Sequence, residues 1–366
     1  MFLKIKIITC HEVYNHGASL QEYALLCFLN SNGHDTEAIH YKPWYLSGHF
    51  SFLSVSNPKF DKPFVKQLYL LAKLPSRIRV LKRKKAFDLF ATKYIPTGKV
   101  LYKTNEDLKN NLPEADAYIC GSDQIWNSFF ENGKDPAFYL SFVPKNKLKL
   151  SYAASFAIDE IAEGVKPLVK SNVSTFNAIG VRETSGVRIL NEIGITNAVQ
   201  VLDPVFLLTS LHWQTTFVKV IPKNFVFIYD FDSNPLIKQI ALHLKKEKGY
   251  KIYTVNQNID YADENYFLEG PEHFLSLVKN AEFTITNSFH ALAFSLIFNK
   301  EFVVVNRTDK INTRMRDLLK LLNLKQLITN YEEFLALKPI NYETINTLLA
   351  DRICFSKEFL LNNLKK

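Results

Sequence analysis

Residues 283–305 read FTITNSFHALAFSLIFNKEFVVV, and their pattern changes twice. The apolar runs 283–286 and 302–305 have the length and β-branched content of buried strands, whereas the apolar residues between them recur at helical spacing. A strand, a helix and a second strand in this order build a parallel sheet with helices on its faces. The polar turn that opens the helix follows a predicted strand, which is where ligands bind in open parallel sheets.

The same alternation extends over most of the chain and predicts two α/β domains. Further strands are expected at residues 3–10, 36–41, 115–120, 148–154, 178–182, 225–229 and 251–255. Helices are expected near residues 18–30, 236–247, 272–280, 288–298 and 342–364. We therefore expect an α/β fold with two Rossmann-like parallel-sheet domains, over residues 1–207 and 208–330, followed by a helical tail over residues 331–366. Proline breaks both periodicities in segment 201–222, which is the expected crossing between the domains.

The composition is that of a globular enzyme. With 366 residues, 47% of them hydrophobic, the chain is long and apolar enough for two cores. Its four cysteines lie far apart and form no metal-ligand spacing, which fits a reduced, cytoplasmic compartment. Lys4 and Lys6 interrupt the first apolar stretch, and no apolar run approaches the ~18 residues of a membrane span. We therefore expect neither a signal peptide nor an integral membrane protein.

The formal net charge of +9 is spread over the chain, but much of the excess falls between Lys59 and Lys103. Nine Lys or Arg residues lie between Lys62 and Lys85, inside a helical insertion expected at about residues 58–94. Its apolar residues recur at spacings of three and four, which indicates an amphipathic helix. The sequence leaves two interpretations open: a helix packed on its own domain with a solvated basic face, or a helix that lies at an anionic membrane surface.

Two loops of the N-terminal half follow predicted strands and carry polar groups. Segment Asn15–Gln21 places Gly17 just before a helix, where it permits a tight turn towards a ligand or serves the turn alone. Segment Gly121–Trp126 contains a Gly-Ser turn whose backbone N–H groups can face an anion. In that segment Asp123 is a candidate for accepting a sugar hydroxyl and Trp126 for stacking on a sugar ring. The alternative is that Asp123 caps the next element and Trp126 belongs to the core.

Two further strand ends carry groups suited to acid–base chemistry or to anions. Arg182 can bind a carboxylate or phosphate through two hydrogen bonds, or it can pair with a carboxylate of the protein. In the turn at residues 287–290, Asn287 or Ser288 can cap the helix while its first turn faces an anion. His290 is suited to proton transfer because the ordinary histidine pKa is near neutrality, although a lone histidine is as often structural.

Taken together and in order, these segments resemble the polysaccharide pyruvyltransferase family. The resemblance runs from about Ile5 to about Leu324. It rests on Asn15-x-Gly17-Ala18-x-Leu20-Gln21, Gly121-Ser122-Asp123-Gln124-x-Trp126, Ser151-Tyr152-Ala153-Ala154-Ser155, Val181-Arg182-Glu183, Leu202-Asp203-Pro204, Gly270-Pro271 and Ser288-Phe289-His290. It implies a glycosyltransferase-B-like pair of domains with the active site in the interdomain cleft. It also implies that the pyruvyl group of phosphoenolpyruvate moves onto two hydroxyls of a sugar as a cyclic ketal, with release of phosphate.

The resemblance assigns roles to particular residues. It implies that His290 and Asp123 are catalytic and that the donor contacts Arg182, Ser288, Asn287, Phe289 and Ser155. The acceptor-binding or structural loop residues are Asn15, Gly17, Gln21, Gly121, Ser122, Gln124 and Trp126. We expect phosphoenolpyruvate as co-substrate, no other cofactor and no metal. The expected acceptor is a hexose, galactose first, in a sugar or lipid-linked precursor of a bacterial capsule or exopolysaccharide.

The chain also departs from the family pattern. Ser288 stands where other branches carry an Arg that contacts the donor, and Arg307 or Arg314 is a candidate substitute. His16 replaces an aromatic residue, and Ala291 replaces the Gly that often follows the histidine. We expect a cytoplasmic protein, peripheral at the inner membrane face through Lys62–Lys85, with no nucleic-acid partner. The alternatives are a nucleotide-sugar glycosyltransferase, for which Gly270-Pro271-Glu272 is the only weak diphosphate loop, and a non-catalytic membrane-associated partner in glycan assembly.

Overall fold

The computed structural model describes residues 2–47, 62, 64–308 and 311–365, and these residues form two α/β units. The strands of the first unit are β1 (Lys4–Ile8), β2 (Asp35–Ala38), β3 (Ala117–Cys120), β4 (Leu148–Ala154), β5 (Ala178–Val181) and β6 (Ala198–Gln200). Its helices are α1 (His16–Ser31), α2 (Trp44–Ser47), α3 (Val65–Ala72), α4 (Leu74–Tyr94), α5 (Asn105–Asn110), α6 (Lys166–Val173) and α7 (Thr184–Glu192).

The second unit follows the same alternation. Its helices and strands are α8 (Ser210–Phe217), β7 (Phe225–Tyr229), α9 (Pro235–Lys248), β8 (Lys251–Thr254), β9 (Glu264–Asn265), α10 (Pro271–Asn280), β10 (Phe283–Thr286), α11 (Phe289–Ile297), β11 (Phe302–Val305), α12 (Thr313–Leu321), β12 (Leu327–Ile328), α13 (Tyr331–Leu335) and α14 (Tyr342–Asn363). Helix α11 is apolar on all sides, and its residues 289–296 are buried, as such a helix must be.

Each unit has a parallel six-stranded sheet with one reversal of strand order. The first sheet runs β2-β1-β3-β4-β5-β6, and the second runs β12-β11-β10-β7-β8-β9. The order reverses between β1 and β3 in the first sheet and between β7 and β10 in the second. In open α/β sheets the crevice at such a reversal is the ligand site. The loops after β3 and β10 are therefore the places to look for chemistry, as the sequence predicted.

The predicted fold class is confirmed, with differences at its weakest elements. Strands β6, β9 and β12 were not predicted because two or three residues at a sheet edge show no periodicity. The basic helical insertion is divided at Lys73 into α3 and α4, and its predicted beginning at residues 58–61 and 63 lies outside the described residues. The crossing segment 201–222 contains α8 as well as the breaks that proline predicts.

The C-terminal helix α14 returns to the first sheet. The backbone N–H of Leu202 donates to Ser356 Oγ at 2.9 Å. The Phe359 ring lies so near Gly180 that a Cβ there would be 2.8 Å from it. Leu360 is fully buried in a core cluster that contains side chains from both sheets. The helical tail therefore joins the two units, while the predicted boundaries at residues 207 and 330 stay predictions.

None of the described helices is long and apolar enough to cross a membrane.

Candidate active site between the two sheets

The loop after β3 is held in an unusual backbone conformation that only glycine fits. Gly121 has a φ of +118°, and a Cβ there would lie 2.2 Å from the Tyr152 carbonyl oxygen. The next residue, Ser122, donates its backbone N–H to Gln21 Oε1 at 3.1 Å, while its carbonyl accepts from Thr9 Oγ1 at 3.0 Å. These contacts fix the loop against α1 and β1. Gln21 therefore supports the loop. Of the two roles predicted for it, acceptor binding and support of a loop, this contact is the second.

Gly17 and His290 bring the two units together at the site. A Cβ on Gly17 would lie 2.0 Å from His290 Nδ1, a distance that no side chain allows. Gly17 is therefore required because α1 and α11 approach each other closely here, and not only because the chain turns before α1. Asn15 begins α1 by accepting from the backbone N–H groups of Gly17 and Ala18, at 3.0 and 3.3 Å. Its side-chain oxygen is thereby used for capping.

A buried carboxylate, Asp203, connects Arg182 with His290. One of its oxygens lies 2.8 Å from Arg182 Nη2 and 3.6 Å from His290 Nε2, and the second distance is too long for a hydrogen bond. Arg182 also donates to Ser122 Oγ at 2.5 Å. Burial opposes ionisation of Asp203, but Arg182 and then His290 outweigh it and lower the Asp203 pKa to about 2. Asp203 is therefore anionic at neutral pH and orients both groups.

Two arginines from different units converge on Asp123 and Phe289. Arg314 Nη1 is 3.5 Å and Arg182 Nη1 is 3.9 Å from Asp123 Oδ1. The two guanidinium carbons lie 5.7 and 4.8 Å from the centre of the Phe289 ring. Burial, followed by repulsion from Arg182, lowers the pKa of Arg314 to about 10. Two buried cations so close together form a site for which an added anion is favourable.

Several polar atoms in this cluster lack partners. Among the described residues, Arg182 Nε and Nη1, Arg314 Nε and His290 Nε2 have no hydrogen-bond partner, although all are buried. Native proteins satisfy nearly all such atoms, so their concentration in one place indicates a ligand with several acceptor oxygens. Within the same described part of the chain, the Ser288 side chain makes no capping hydrogen bond to α11. The prediction that Asn287 or Ser288 caps this helix is therefore wrong, and the first turn of α11 keeps backbone N–H groups for a ligand.

A cleft opens beside Asp123 on the side of the first unit. Its volume is about 490 Å³, enough for one or two sugar rings in size. It is lined by Cys10, Val13, Asn15, Tyr45, Leu46, Asp123, Gln124, Phe129, Phe130, Glu131 and Asn132. Phe129 and Phe130 are 57% and 44% exposed, so aromatic faces are available in the cleft. Asp123 is the residue common to the cleft and the arginine pair.

Three predicted ligand contacts are occupied within the protein instead. Trp126 is fully buried, donates its indole N–H to the Phe138 carbonyl at 3.0 Å and is stacked on Tyr139, so it is a core residue and cannot stack on a sugar. The Ser155 hydroxyl, also fully buried, donates to Glu183 Oε1 at 3.0 Å. Asn287 donates to Asp230 Oδ1 at 2.7 Å, which joins the loops after β10 and β7.

Two further histidines next to the site are structural in different ways. His16 contacts the Tyr229 hydroxyl at 2.9 Å and stacks on Phe274 of the second unit, and burial, followed by Arg83, lowers its pKa. The imidazole ring of His16 therefore packs where other members of the family have an aromatic ring. His11 lies 2.7 Å from Glu22 Oε1 and 3.5 Å from Glu12 Oε1.

Sequence reasoning did not identify every residue of this cluster. Asp203 belongs to the motif Leu202-Asp203-Pro204 but has no predicted role, because the short strand β6 that precedes it was not predicted. Arg314 was named only as one of two substitutes for the family Arg. The structure places Arg314 in the cluster, whereas Arg307 lies 3.4 Å from Asp232 and over the Phe231 ring.

Two parallel six-stranded sheets, whose units meet at the cluster of Arg182, Asp203 and His290, define a glycosyltransferase-B-like α/β fold. Solved structures share it: the UDP-bound MnaA protein of S. aureus matches with a TM-score of 0.52 and 10% identity over 99% of this chain and 98% of its own. A protein assigned as a UDP-N-acetylglucosamine 2-epimerase from Listeria monocytogenes matches with a TM-score of 0.51 and 11% identity over 100% and 98%. At such identities the likeness concerns the fold alone.

The family is shown by sequence. The family model for polysaccharide pyruvyl transferase matches residues 15–309, so the chain belongs to that family. No curated protein has a sequence similar enough to match. The matched range contains Gly17, Asp123, Arg182, Asp203 and His290, which form the cluster beside the cleft.

Proposed function

We propose that this protein transfers the pyruvyl group of phosphoenolpyruvate onto two hydroxyls of a hexose, galactose first, in a glycan precursor. The observation that supports this proposal most directly is the pair of buried arginines, Arg182 and Arg314, with nitrogen atoms that lack partners. Phosphoenolpyruvate carries a carboxylate and a phosphate, and both suit a guanidinium pair better than a neutral sugar does. Family membership supports the same donor class.

The donor is proposed to lie between the arginine pair and the first turn of α11. Arg314 comes from the same unit as α11 and takes the role that other branches give to an Arg at the position of Ser288. The uncapped N–H groups of the helix add positive potential at the same place. Both guanidinium groups lie near the Phe289 ring, which restricts their movement.

The acceptor is proposed to occupy the cleft beside Asp123. Aromatic side chains such as Phe129, Phe130 and Tyr45 can stack on the apolar face of a sugar, while Asp123 and Gln124 offer hydrogen-bond acceptors. A hexose held there would present its hydroxyls to a donor bound at Arg182 and Arg314. A lipid-linked oligosaccharide is the form of acceptor that we favour, because the cleft is open to solvent on one side.

The proposed reaction balances its protons between two residues and the product phosphate. Asp123 accepts the proton of the first sugar hydroxyl as its oxygen bonds to C2 of the donor, while His290 protonates C3 to give the methyl group. The second hydroxyl oxygen then bonds to C2 as the C2–O bond to phosphate breaks, and its proton leaves with the phosphate. Asp123 releases its proton to solvent and His290 takes one up, so both residues return to their starting states. Asp203 is a positioning residue that holds His290 and Arg182 in place.

The test is incubation with phosphoenolpyruvate and synthetic or lipid-linked galactosides, with phosphate release and product mass as readouts. We expect phosphate and a product enlarged by one pyruvylidene group. Arg182→Gln and Arg314→Gln are each expected to lower kcat/KM at least about 100-fold, as loss of a charge-assisted contact in a dry site does. Their matched controls, Arg188→Gln and Arg316→Gln, lie on the surface and pair with Asp159, so activity should be retained.

Two outcomes would contradict the proposal. One is thermal stabilisation by a nucleotide-sugar and none by phosphoenolpyruvate, which would support the glycosyltransferase alternative. The other is a His290→Ala variant that supports glycan assembly as well as the wild-type protein does. That result would favour the alternative in which the protein is a non-catalytic partner in glycan assembly.

We propose that no metal ion and no further cofactor takes part, and chelation tests this. Activity should survive EDTA treatment. If activity disappeared and a divalent cation restored it, the ion would be sought at His11, Glu12 and His40, whose ligand atoms lie within 4.8 Å of one another.

A further inference from the structure

Helices α3 and α4 carry a continuous row of exposed apolar side chains. The row consists of Phe64, Leu68, Leu71, Leu74, Ile78 and Leu81, which are 78%, 68%, 66%, 36%, 44% and 36% exposed. Successive members are three or four residues apart, so those within each helix lie on one side of that helix, and Phe64 directly precedes α3. Soluble proteins rarely leave an apolar patch of this extent without a partner.

The row faces away from the protein because the opposite side of α4 is already packed. Arg83, Phe87 and Phe90 are its buried residues, and their own spacing of four and three places them across the helix from Ile78 and Leu81. Arg83 donates to the carbonyl oxygens of Val255 and Phe267 in the second unit. Phe87 packs on His16 with ring centres 5.0 Å apart. Helix α4 therefore packs on both units through one side, and its opposite side, which carries the apolar row, faces outwards.

The charges beside the row have one sign. Nine Lys or Arg residues lie between Lys62 and Lys85, and the sequence contains no Asp or Glu from Lys62 to Phe87. Five of these cations are exposed: Lys62, Lys73, Arg79, Lys82 and Lys85. An apolar row flanked by cations is complementary to the headgroup region of an anionic lipid bilayer. A protein partner with an apolar groove would need a matching acidic rim, whereas a second copy of this face would repel the first.

We propose that the outer face of α3 and α4 docks on an anionic phospholipid surface, with the apolar row at the boundary between headgroups and acyl chains. Helix α4 lies near the cleft, since Lys84 Nζ is 5.1 Å from the centre of the Tyr14 ring and the neighbouring Val13 and Asn15 line the cleft. A lipid-linked acceptor would reach the cleft from that surface. This last link rests on the proposed function, whereas docking itself does not.

Sedimentation with vesicles tests the proposal. We expect the protein to bind vesicles of phosphatidylcholine mixed with phosphatidylglycerol, and to bind pure phosphatidylcholine at least about ten-fold more weakly. Raising the ionic strength from about 0.01 M to about 1 M should weaken binding strongly, because the screening length falls from about 30 Å to about 3 Å. Leu68→Ser combined with Leu71→Ser, and separately Lys73→Gln combined with Lys82→Gln and Lys85→Gln, should each weaken binding at least about ten-fold.

The controls separate this surface from others and from catalysis. Leu211→Ser and Lys246→Gln alter side chains that are 69% and 84% exposed elsewhere, so binding should not change. Phosphate release with a water-soluble galactoside should be unchanged in the α3 and α4 variants, so failed docking and failed chemistry are distinguishable. Equal binding to neutral and anionic vesicles, no binding to either, or a wild-type dimer that the Leu68 and Leu71 substitutions dissociate would overturn the proposal.

Discussion

Gly17 and His290 lie in different units, yet each restricts the other. His290 occupies the space that a side chain at residue 17 would fill, so Gly17 sets the position of the imidazole beside Asp203. The role of Gly17 is therefore testable separately from the role of the turn in which it lies.

Gly17→Ala is expected to displace His290 and to lower kcat by about 10²- to 10⁴-fold, the usual worth of a general acid or base. The Michaelis constant for the acceptor should change much less, because the cleft residues stay in place. Steady-state kinetics measure both quantities. Gly164→Ala is the matched control, since a Cβ at Gly164 meets nothing within 4 Å, and normal kinetics in both variants would contradict the assignment.

His11 makes stability depend on pH on the alkaline side. Burial alone would lower its pKa, but Glu22 and Glu12 outweigh it and raise the pKa from 6.5 to about 10. A histidine with a raised pKa contributes stability that is complete below the unfolded value and is lost as the pH rises through the folded value. We therefore expect the urea midpoint to fall between about pH 7 and about pH 10.

The variant that isolates this effect is His11→Gln, which should be less stable at neutral pH and should show a smaller alkaline decline. His34→Gln is the control, because burial lowers the His34 pKa and the group does not titrate in this range. An alkaline decline of equal size in wild type and His11→Gln would refute the explanation.

The sequence identified the site residues that come after strands. It did not identify those that reach the site only because the two units pack together. Arg182 directly follows β5, Asp123 lies in the loop after β3, and His290 lies in the first turn of the helix after β10, so the rule for parallel sheets located them. Arg314 lies in a helix, and only the packing of that helix brings it to Asp123. Trp126 was placed in a ligand loop by its neighbours in sequence, whereas burial of a large ring decided its position.

At the scale of elements, α14 shows how a helix distant in sequence supports the first sheet. The sequence predicted the bounds of this helix, 342–363, almost to the residue. It did not predict that the helix packs on the first sheet, because an apolar stripe shows only that one side of a helix is buried. The short edge strands were missed for the related reason that they are strands only through their neighbours.

Leu360→Ala in α14 is expected to lower the free energy of unfolding by about 2–5 kcal/mol, since Leu360 is fully buried. Phe355→Ala on the same helix is the control: Phe355 is 42% exposed, and its loss should cost far less. Urea denaturation monitored by circular dichroism measures both. Equal losses would show that α14 is not packed as described.

At the scale of the whole molecule, the two units share one core cluster, and the buried His16 lies where side chains of both units meet. Its ring lies among Phe87, Tyr229 and Phe274, which belong to both units. Burial, followed by repulsion from Arg83, lowers the His16 pKa, so the ring is neutral in the folded protein. The stability that depends on a lowered histidine pKa is complete above the unfolded value and is lost as the pH falls below it.

We expect the wild-type protein to lose stability below about pH 6.5 in part through His16. His16→Phe should keep the ring contacts, leave the buried Tyr229 hydroxyl without its partner at a cost of about 1–3 kcal/mol, and reduce the acid decline. Thermal unfolding at about pH 5 and about pH 7.5 measures the difference. An unchanged acid decline in His16→Phe would exclude His16 as its source.

The contact between Gly17 and His290 also has an evolutionary consequence. A mutation that gives residue 17 a side chain can be tolerated only after residue 290 has become smaller, and that first change would remove the proposed proton donor. Although the two positions are 273 residues apart in the chain, residue 290 must therefore change before residue 17 can. Among descendants that keep the chemistry we expect glycine and histidine together. Where either has been replaced, we expect the other to vary and the activity to be lost.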